Sequence, residues 1–200
     1  MKNNIYLREW RCPLPSLTNG YCMFYSCDKL ESFTSDLPSL TNGSHMFIHC
    51  RNLKSFSSDS SGSPVNLSNL TDGSYMFYRT SLPKFKGFLN SLTNADYMFA
   101  WCDSLENIGD YPFNTTETGG LYAHSLETAD KMFDECPNLK TLHFDINKIK
   151  DINNLGLDTC SNLQHVSMSL TSLTTTPTCF RNKTKLTSVN LNVSNLTSVD

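Results

Sequence analysis

Apolar and polar positions recur along this chain as a fixed phrase rather than as long runs. "SLTNGYCMFYSC" at 16–27 returns as "SLTNGSHMFIHC" at 39–50, "NLTDGSYMFYRT" at 69–80, "SLTNADYMFAWC" at 91–102 and "SLETADKMFDEC" at 125–136. The Met-Phe pair begins at Met23, Met46, Met76, Met98 and Met132, at intervals of 23, 30, 22 and 34 residues. A second phrase follows each first one: "DKLESF", "RNLKSF", "TSLPKF", "DSLENI" and "PNLKTL". Two weaker copies, "LGLDTCSNLQHV" and "TCFRNKTKLTSV", bring the total to about seven units. Self-similarity at this period marks a repeat architecture in which no unit buries a core alone.

Within the first phrase, Gly20, Met23, Phe24 and Cys27 fall at i, i+3, i+4 and i+7. That spacing predicts one face of a two-turn helix. Asn19, Asn42, Asp72, Asn94 and Thr128 share the position before it and suit an N-cap. The glycine position becomes Ala95 and Ala129 in later units. It therefore calls for a small side chain rather than an unusual backbone. In the second phrase a leucine (Leu30, Leu53, Leu82, Leu105, Leu139, Leu163, Leu186) precedes by three residues an apolar Phe33, Phe56, Phe85, Ile108, Leu142, Val166 or Val189. This predicts a strand. The expected fold is an α/β repeat solenoid, about seven units of short helix plus strand forming one parallel sheet. Residues 1–15, with Ile5, Leu7 and Trp10, are expected to cover its first edge, and 16–200 to form the solenoid as a single domain. Insertions at 57–66 and 109–124 break the period, each expected to follow a strand. At the far end "SNLTSVD" reads as entry into an eighth unit, so another chain or further sequence is expected to cover that edge.

The repeated Met-Phe-x-x-Cys-x-x-Leu core resembles BspA-like leucine-rich repeats, closely over 16–144 and loosely over 155–191. The resemblance implies a leucine-rich repeat solenoid. It also implies a recognition scaffold, since such repeats are associated with surface proteins of bacteria and some protists, with adhesion, and with phage structural proteins. It carries no catalytic residue across.

Composition adds constraints. The net charge of −3 offers no basic field for nucleic acid, and no apolar run is long enough to span a membrane. The N-terminus lacks the apolar stretch of a secretory signal. Of eight cysteines, Cys27, Cys50, Cys102, Cys136 and Cys160 share one repeat position and read as buried, reduced packing thiols, and the third unit has lost its cysteine. Cys12, Cys22 and Cys179 lie off that column and are the better candidates for exposure. His45, His49 and Cys50 imitate zinc spacing, but His45 shares its position with Cys22, Tyr75, Tyr97 and Lys131, which marks an outward site. No nucleophile and base stand together and no phosphate-binding glycine pattern occurs, so neither enzyme activity, cofactor nor metal is expected.

Alternation along the strands turns Ser32, Thr34, Ser55, Ser57, Lys84, Lys86, Asn107, Thr141, His143, His165, Ser167, Ser188 and Asn190 outward, as one polar face. That face is the candidate binding surface. Tyr111, Phe113 and Tyr122 make the second insertion apolar for a loop, and form a candidate contact loop. The expected function is recognition of a protein or glycan at a host or neighbouring surface, on a cell or virion. The alternative is a structural component of a phage tail, capsid or other large assembly.

Overall fold

The structure is a computed structural model, and it describes residues 1–109, 121–194 and 196. Every strand pairs in parallel. Strands β1 (Glu9–Trp10), β2 (Ser32–Thr34) and β3 (Ser55–Ser57) form one sheet in sequence order. A second sheet contains β4 (Lys84–Phe85), β5 (Gly87–Phe88), β6 (Asn107–Ile108), β7 (Leu121–Tyr122), β8 (Thr141–Asp145), β9 (His165–Ser169) and β10 (Ser188–Asn192). The expected single sheet is therefore split between β3 and β4, where the chain enters β4 through Pro83, a residue with no N–H to donate. Pairing keeps the repeat in register, Phe33 opposite Phe56 and Leu142 opposite Val166.

The expected helices are absent. The only helical segments among the described residues are two three-residue 3-10 turns, Asn153–Leu155 and Leu157–Thr159. Each Met-Phe phrase instead runs as consecutive tight turns whose N–H groups alternate between two uses. In the second unit Gly43, His45, Phe47 and His49 donate to Asp72, Ser74, Met76 and Tyr78 of the next unit, at 2.8–2.9 Å. Between them Met46, Ile48 and Cys50 donate three residues back, to Gly43, His45 and Phe47. Helical i→i−4 bonds are replaced by bonds to the neighbouring turn. This geometry needs a left-handed residue twice per unit: Cys22 and Ser26, His45 and His49, Tyr75 and Arg79, Tyr97 and Trp101, Lys131 and Glu135, all with φ between 51° and 62°. Each such non-glycine residue costs about 1–2 kcal/mol, so the cross-turn bonds and packing must offset it.

The expected N-caps do a different job. Asn19, Asn42, Asp72, Asn94 and Thr128 bridge one another in a parallel ladder that runs unbroken past the gap between the sheets. The side-chain Oδ1 of Asn42 accepts from Ser44 N–H at 2.9 Å, and Asp72 and Asn94 accept likewise from Ser74 and Asp96. Threonines make a further ladder, with Thr41, Thr71 and Thr93 each donating a hydroxyl to the carbonyl of the preceding threonine. These ladders account for part of the chain's richness in Asn and Thr.

The core consists of stacked columns. Phe24, Phe47, Phe77, Phe99 and Phe133 lie face over face at 5.2–6.0 Å with interplanar angles of 0–6°. Phe33, Phe56 and Phe85 form a second column, edge-on to the first. The small-residue position is explained by the methionines. A Cβ on Gly20 would lie 2.8 Å from Met46 Sδ of the next turn, and one on Gly43 would lie 3.0 Å from Met76 Sδ. At the start of the chain β1 pairs with β2, and the Trp10 ring meets Phe24 edge-on at 5.1 Å. Leu7 and Leu14 pack there too, whereas Ile5, expected to join them, is 54% exposed.

The cysteine column is more than a set of small hydrophobes. Cys50, Cys102 and Cys136 each donate S–H to the carbonyl of a phenylalanine one turn earlier (Phe24, Phe77, Phe99) at 3.0–3.1 Å, and Cys160 reaches Phe133 at 3.4 Å. In the third unit Thr80 fills the position, buried, with its hydroxyl 3.5 Å from Cys102 Sγ. A hydroxyl has replaced a thiol there, so the column is continuous. Burial pushes these thiols up, Cys102 to about 11 and Cys160 to about 12, from an ordinary value of 9.0. Cys12 is exposed and Cys22 half-buried, but Cys179 is buried in the core, contrary to expectation. Burial likewise raises Cys179, to about 11.

Two outcomes follow from thiols that are neutral when folded. A chromogenic disulfide reagent at pH 7 should modify Cys12 quickly and the buried column only after denaturant is added. Because the folded state holds these protons more tightly than the unfolded chain, their stabilising effect is complete below about pH 9. It is lost as pH rises through 11 and 12. Urea melts between pH 7 and 11 should show stability falling above pH 9; a flat profile would contradict the assignment.

Candidate functional site

The face that alternation turns outward is not uniformly accessible. Ser55, Lys84, Ser188 and Asn190 are exposed, while Ser32, Thr34, Lys86, Asn107, His165 and Ser167 are half-buried. Ser57, Thr141 and His143 are buried, at 5%, 5% and 8% exposure. The Ser57 hydroxyl donates to the carbonyl of Asp59 in the insertion that follows it. The Thr141 hydroxyl donates to Asn107 Oδ1 at 2.7 Å, one strand to the next. These three are parts of the scaffold rather than an open contact surface.

The second insertion also leaves the chain differently from expectation. Lys84 and Phe85 face Asn107 and Ile108, while Gly87 and Phe88 face Leu121 and Tyr122. On the other side, Asn107, Ile108, Leu121 and Tyr122 face Thr141, Leu142, Phe144 and Asp145 in order. Strands β6 and β7 are thus two halves of one strand, and the insertion leaves and rejoins the strand line at its middle. Tyr122 is a strand residue, 7% exposed, and not part of a loop. Its ring stacks on Phe88 at 5.5 Å and meets His143 edge-on at 5.9 Å. Phe88 is 43% exposed on the same face. Sequence reading overlooked it because "KFKGF" carries two phenylalanines and only the first, Phe85, fits the repeat. Tyr111 and Phe113 lie outside the described residues.

Where the two sheets part, the face opens into a cavity of about 220 Å³. Its walls include Ser55 and Ser57 of β3, Lys84 and Phe85 of β4, Lys54 and Lys86, with Ser61, Gly62 and Pro64 of the first insertion. That insertion is held closed by Asp59, whose Oδ1 accepts from Ser61 N–H at 2.9 Å, Ser61 Oγ at 2.6 Å and Ser63 N–H at 3.1 Å. These hydrogen bonds hold the Asp59 carboxyl at about 2, below the usual carboxylate range. Lys84 and Lys86 were expected on this face; Lys54, missed because it precedes the strand, joins them around the cavity.

A second surface lies on the turns. The left-handed residues project outward, and their rings form a ladder. His45 stacks on Tyr75 at 4.8 Å, Tyr75 on Tyr97 at 4.7 Å, and Lys131 Nζ sits 6.0 Å from the Tyr97 ring centre. Beside it Arg79 lies 4.7 Å over Trp101, itself 41% exposed. Burial lowers His45 and raises Tyr75 from their ordinary values. The column was legible as an outward repeat position. Its side-chain variety concealed that three successive members are flat rings.

A parallel solenoid with in-phase Met-Phe turns, a cysteine column and an asparagine ladder invites comparison with repeat families. The description of a BspA type Leucine rich repeat region matches in six copies, over residues 3–106 and 73–200. The chain belongs to this family. A leucine-rich repeat protein from Bacteroides ovatus shares the fold, with a TM-score of 0.50 and 17% identity. The match covers 98% of this chain but 64% of that one, so this chain spans less than two thirds of its length. A leucine-rich repeat protein from Eubacterium ventriosum is 18% identical over 84% of this chain and 68% of that one, with a TM-score of 0.28. A leucine rich cell surface protein from Faecalibacterium prausnitzii is 14% identical over 94% of this chain and 80% of that one, with a TM-score of 0.27. No curated protein matches. Membership of the BspA type family accounts for the scaffold, while the cavity and the Phe88–Tyr122 stack are features of this chain's own departures from the repeat. No helix among the described residues is long and apolar enough to cross a membrane.

Proposed function

We propose that the chain is a non-enzymatic recognition scaffold displayed at a cell surface. It binds a protein or glycan of a host or neighbouring surface across its parallel-sheet face. The observation that carries this reading is the cavity between β3 and β4, set on that face and lined by both strands. Stacked repeats give a rigid platform and a continuous surface. The Phe88–Tyr122 stack adds the aromatic anchor that tight interfaces favour. Ser55, Lys84, His165, Ser167, Ser188 and Asn190 supply polar contacts along the same face.

Binding to host cells and to protein and glycan arrays tests it. Ser55→Arg and Ser167→Arg, which place bulk on the sheet face, should each abolish capture of the partner. Trp101→Ala, on the turn face, should leave capture intact. The opposite pattern would sink the sheet-face assignment in favour of the ring ladder. The alternative, a structural subunit of a phage tail or capsid, calls for ordered self-assembly. Light scattering separates the two, since a monodisperse chain that binds partners supports recognition.

A further inference from the structure

We infer that the cavity between β3 and β4 is a subsite for one carboxylated sugar residue, of the uronate or sialate kind. This rests on the sheet-face reading above and names its ligand. Charge is the first argument. The chain carries a net −3, yet the described residues lining this cavity include three lysines, Lys54, Lys84 and Lys86, and no carboxylate. Neither Lys54 nor Lys84 forms an ion pair among the described residues, whereas Arg8, Arg11, Lys140 and Lys148 are each matched with a glutamate. The one carboxylate of the adjoining insertion, Asp59, spends an oxygen on three hydrogen bonds inside its own loop. Lys54 and Lys84 therefore give the cavity cationic donors with no paired anion among the described residues.

Size and lining narrow the anion. About 220 Å³ is below the roughly 300–1,000 Å³ of clefts that hold drug-sized ligands, so it suits a single ring-sized unit. Ser55 and Ser61 line it together with Phe56, Pro64 and Phe85. A sugar ring presents this same combination, hydroxyls at its rim and C–H groups on its faces. An extended acidic peptide fits less well. The Phe56 and Phe85 rings are still stacked at 6.2 Å beneath the break, so the gap between the strands does not admit another strand. Gly62, at φ +83° with nothing within 4 Å of a Cβ position, leaves the mouth open for the rest of a chain to pass.

Isothermal titration calorimetry on the whole chain at low salt tests this with four probes: oligogalacturonate, sialyllactose, neutral lactose and poly-glutamate. At least one acidic sugar should bind, lactose should not, and raising the salt should weaken binding. Lys54→Gln and Lys84→Gln should each weaken it by tenfold or more, and unchanged melting curves would show that both variants are folded. Equal binding of lactose, poly-glutamate binding as tightly as the sugars, or undiminished binding by both variants would overturn the assignment. If acidic sugars fail while Ser55→Arg still abolishes partner capture, the ligand class is wrong and the sheet-face reading stands. If Ser55→Arg and Ser167→Arg also have no effect, both fall.

Discussion

Phe77→Ala is expected to lower the unfolding free energy by about 3–5 kcal/mol, the range for removing a fully buried phenylalanine. Phe77 is the middle ring of five and is fully buried. It stacks on Phe47 at 5.6 Å and Phe99 at 5.4 Å, and meets Phe56 at 4.9 Å and Phe85 at 5.5 Å. Collapse of the hole is opposed from both sides, because the turns above and below are held apart by their own hydrogen bonds. Phe77 N–H donates to Met98, and Phe47 N–H donates to Met76. In a solenoid each unit touches only its neighbours, so a central defect uncouples the two halves. The urea transition should therefore broaden as well as shift. Phe180→Ala, at a half-buried ring near the end of the stack, should cost much less. A loss below 1.5 kcal/mol for Phe77→Ala, measured by circular dichroism in urea, would mean that the ring column does not carry the core.

That column was legible in the sequence, although its backbone was not. Spacing at i, i+3, i+4 and i+7 correctly picked Gly43, Met46, Phe47 and Cys50 as one buried set. The inference to a helix failed because consecutive four-residue turns bury nearly the same positions. What decides between them is where the N–H groups go. An isolated helix of eight residues is marginal, while a neighbouring turn with carbonyls at matching height offers every second N–H a partner. The left-handed residues that result, such as His45, Tyr75 and Tyr97, give no composition signal, since glycine is absent from those positions.

The candidate face was legible as a direction but not as a surface. Alternation correctly set Lys84 and Ser55 outward. It could not foresee that the first insertion would bond back to Ser57, or that Thr141 would be buried and bonded to Asn107. The break between β3 and β4 was equally hidden. The repeat interval there lengthens to 30 residues, but length alone does not say whether extra chain bulges away or parts the strands. Phe88 escaped for a related reason, because it lies beyond the repeat unit that organised the reading.

Gly156→Ala is expected to cost roughly 3 kcal/mol or more, although the same exchange occurs naturally elsewhere in the repeat. At the packing position Gly43→Ala would bring a Cβ within 3.0 Å of Met76 Sδ and 3.1 Å of Leu70 Cδ1, both ends of flexible side chains. Ala95 and Ala129 already occupy that position, so about 1 kcal/mol or less is expected there. Gly156 differs in kind. It joins the two 3-10 turns of the sixth unit at φ 80° and ψ 16°, a conformation costing an alanine about 1–2 kcal/mol. Its Cβ would lie 2.6 Å from Asp134 N and 2.7 Å from Asp134 Cα, which are backbone atoms of the preceding turn. No rotamer change relieves that contact. The turn must move, and Asp134 cannot shift without disturbing Trp101 N–H, which donates to the Asp134 carbonyl at 2.8 Å. Strain at one glycine is thereby passed to the fourth and fifth units. A paired urea series on Gly43→Ala and Gly156→Ala measures the difference. If the two variants fell within 1 kcal/mol of each other, the close approach at Gly156 would not be a constraint on the fold. A clear gap would locate the departure from the regular repeat at Gly156, where leucines replace the Met-Phe pair and a left-handed glycine sets the turn.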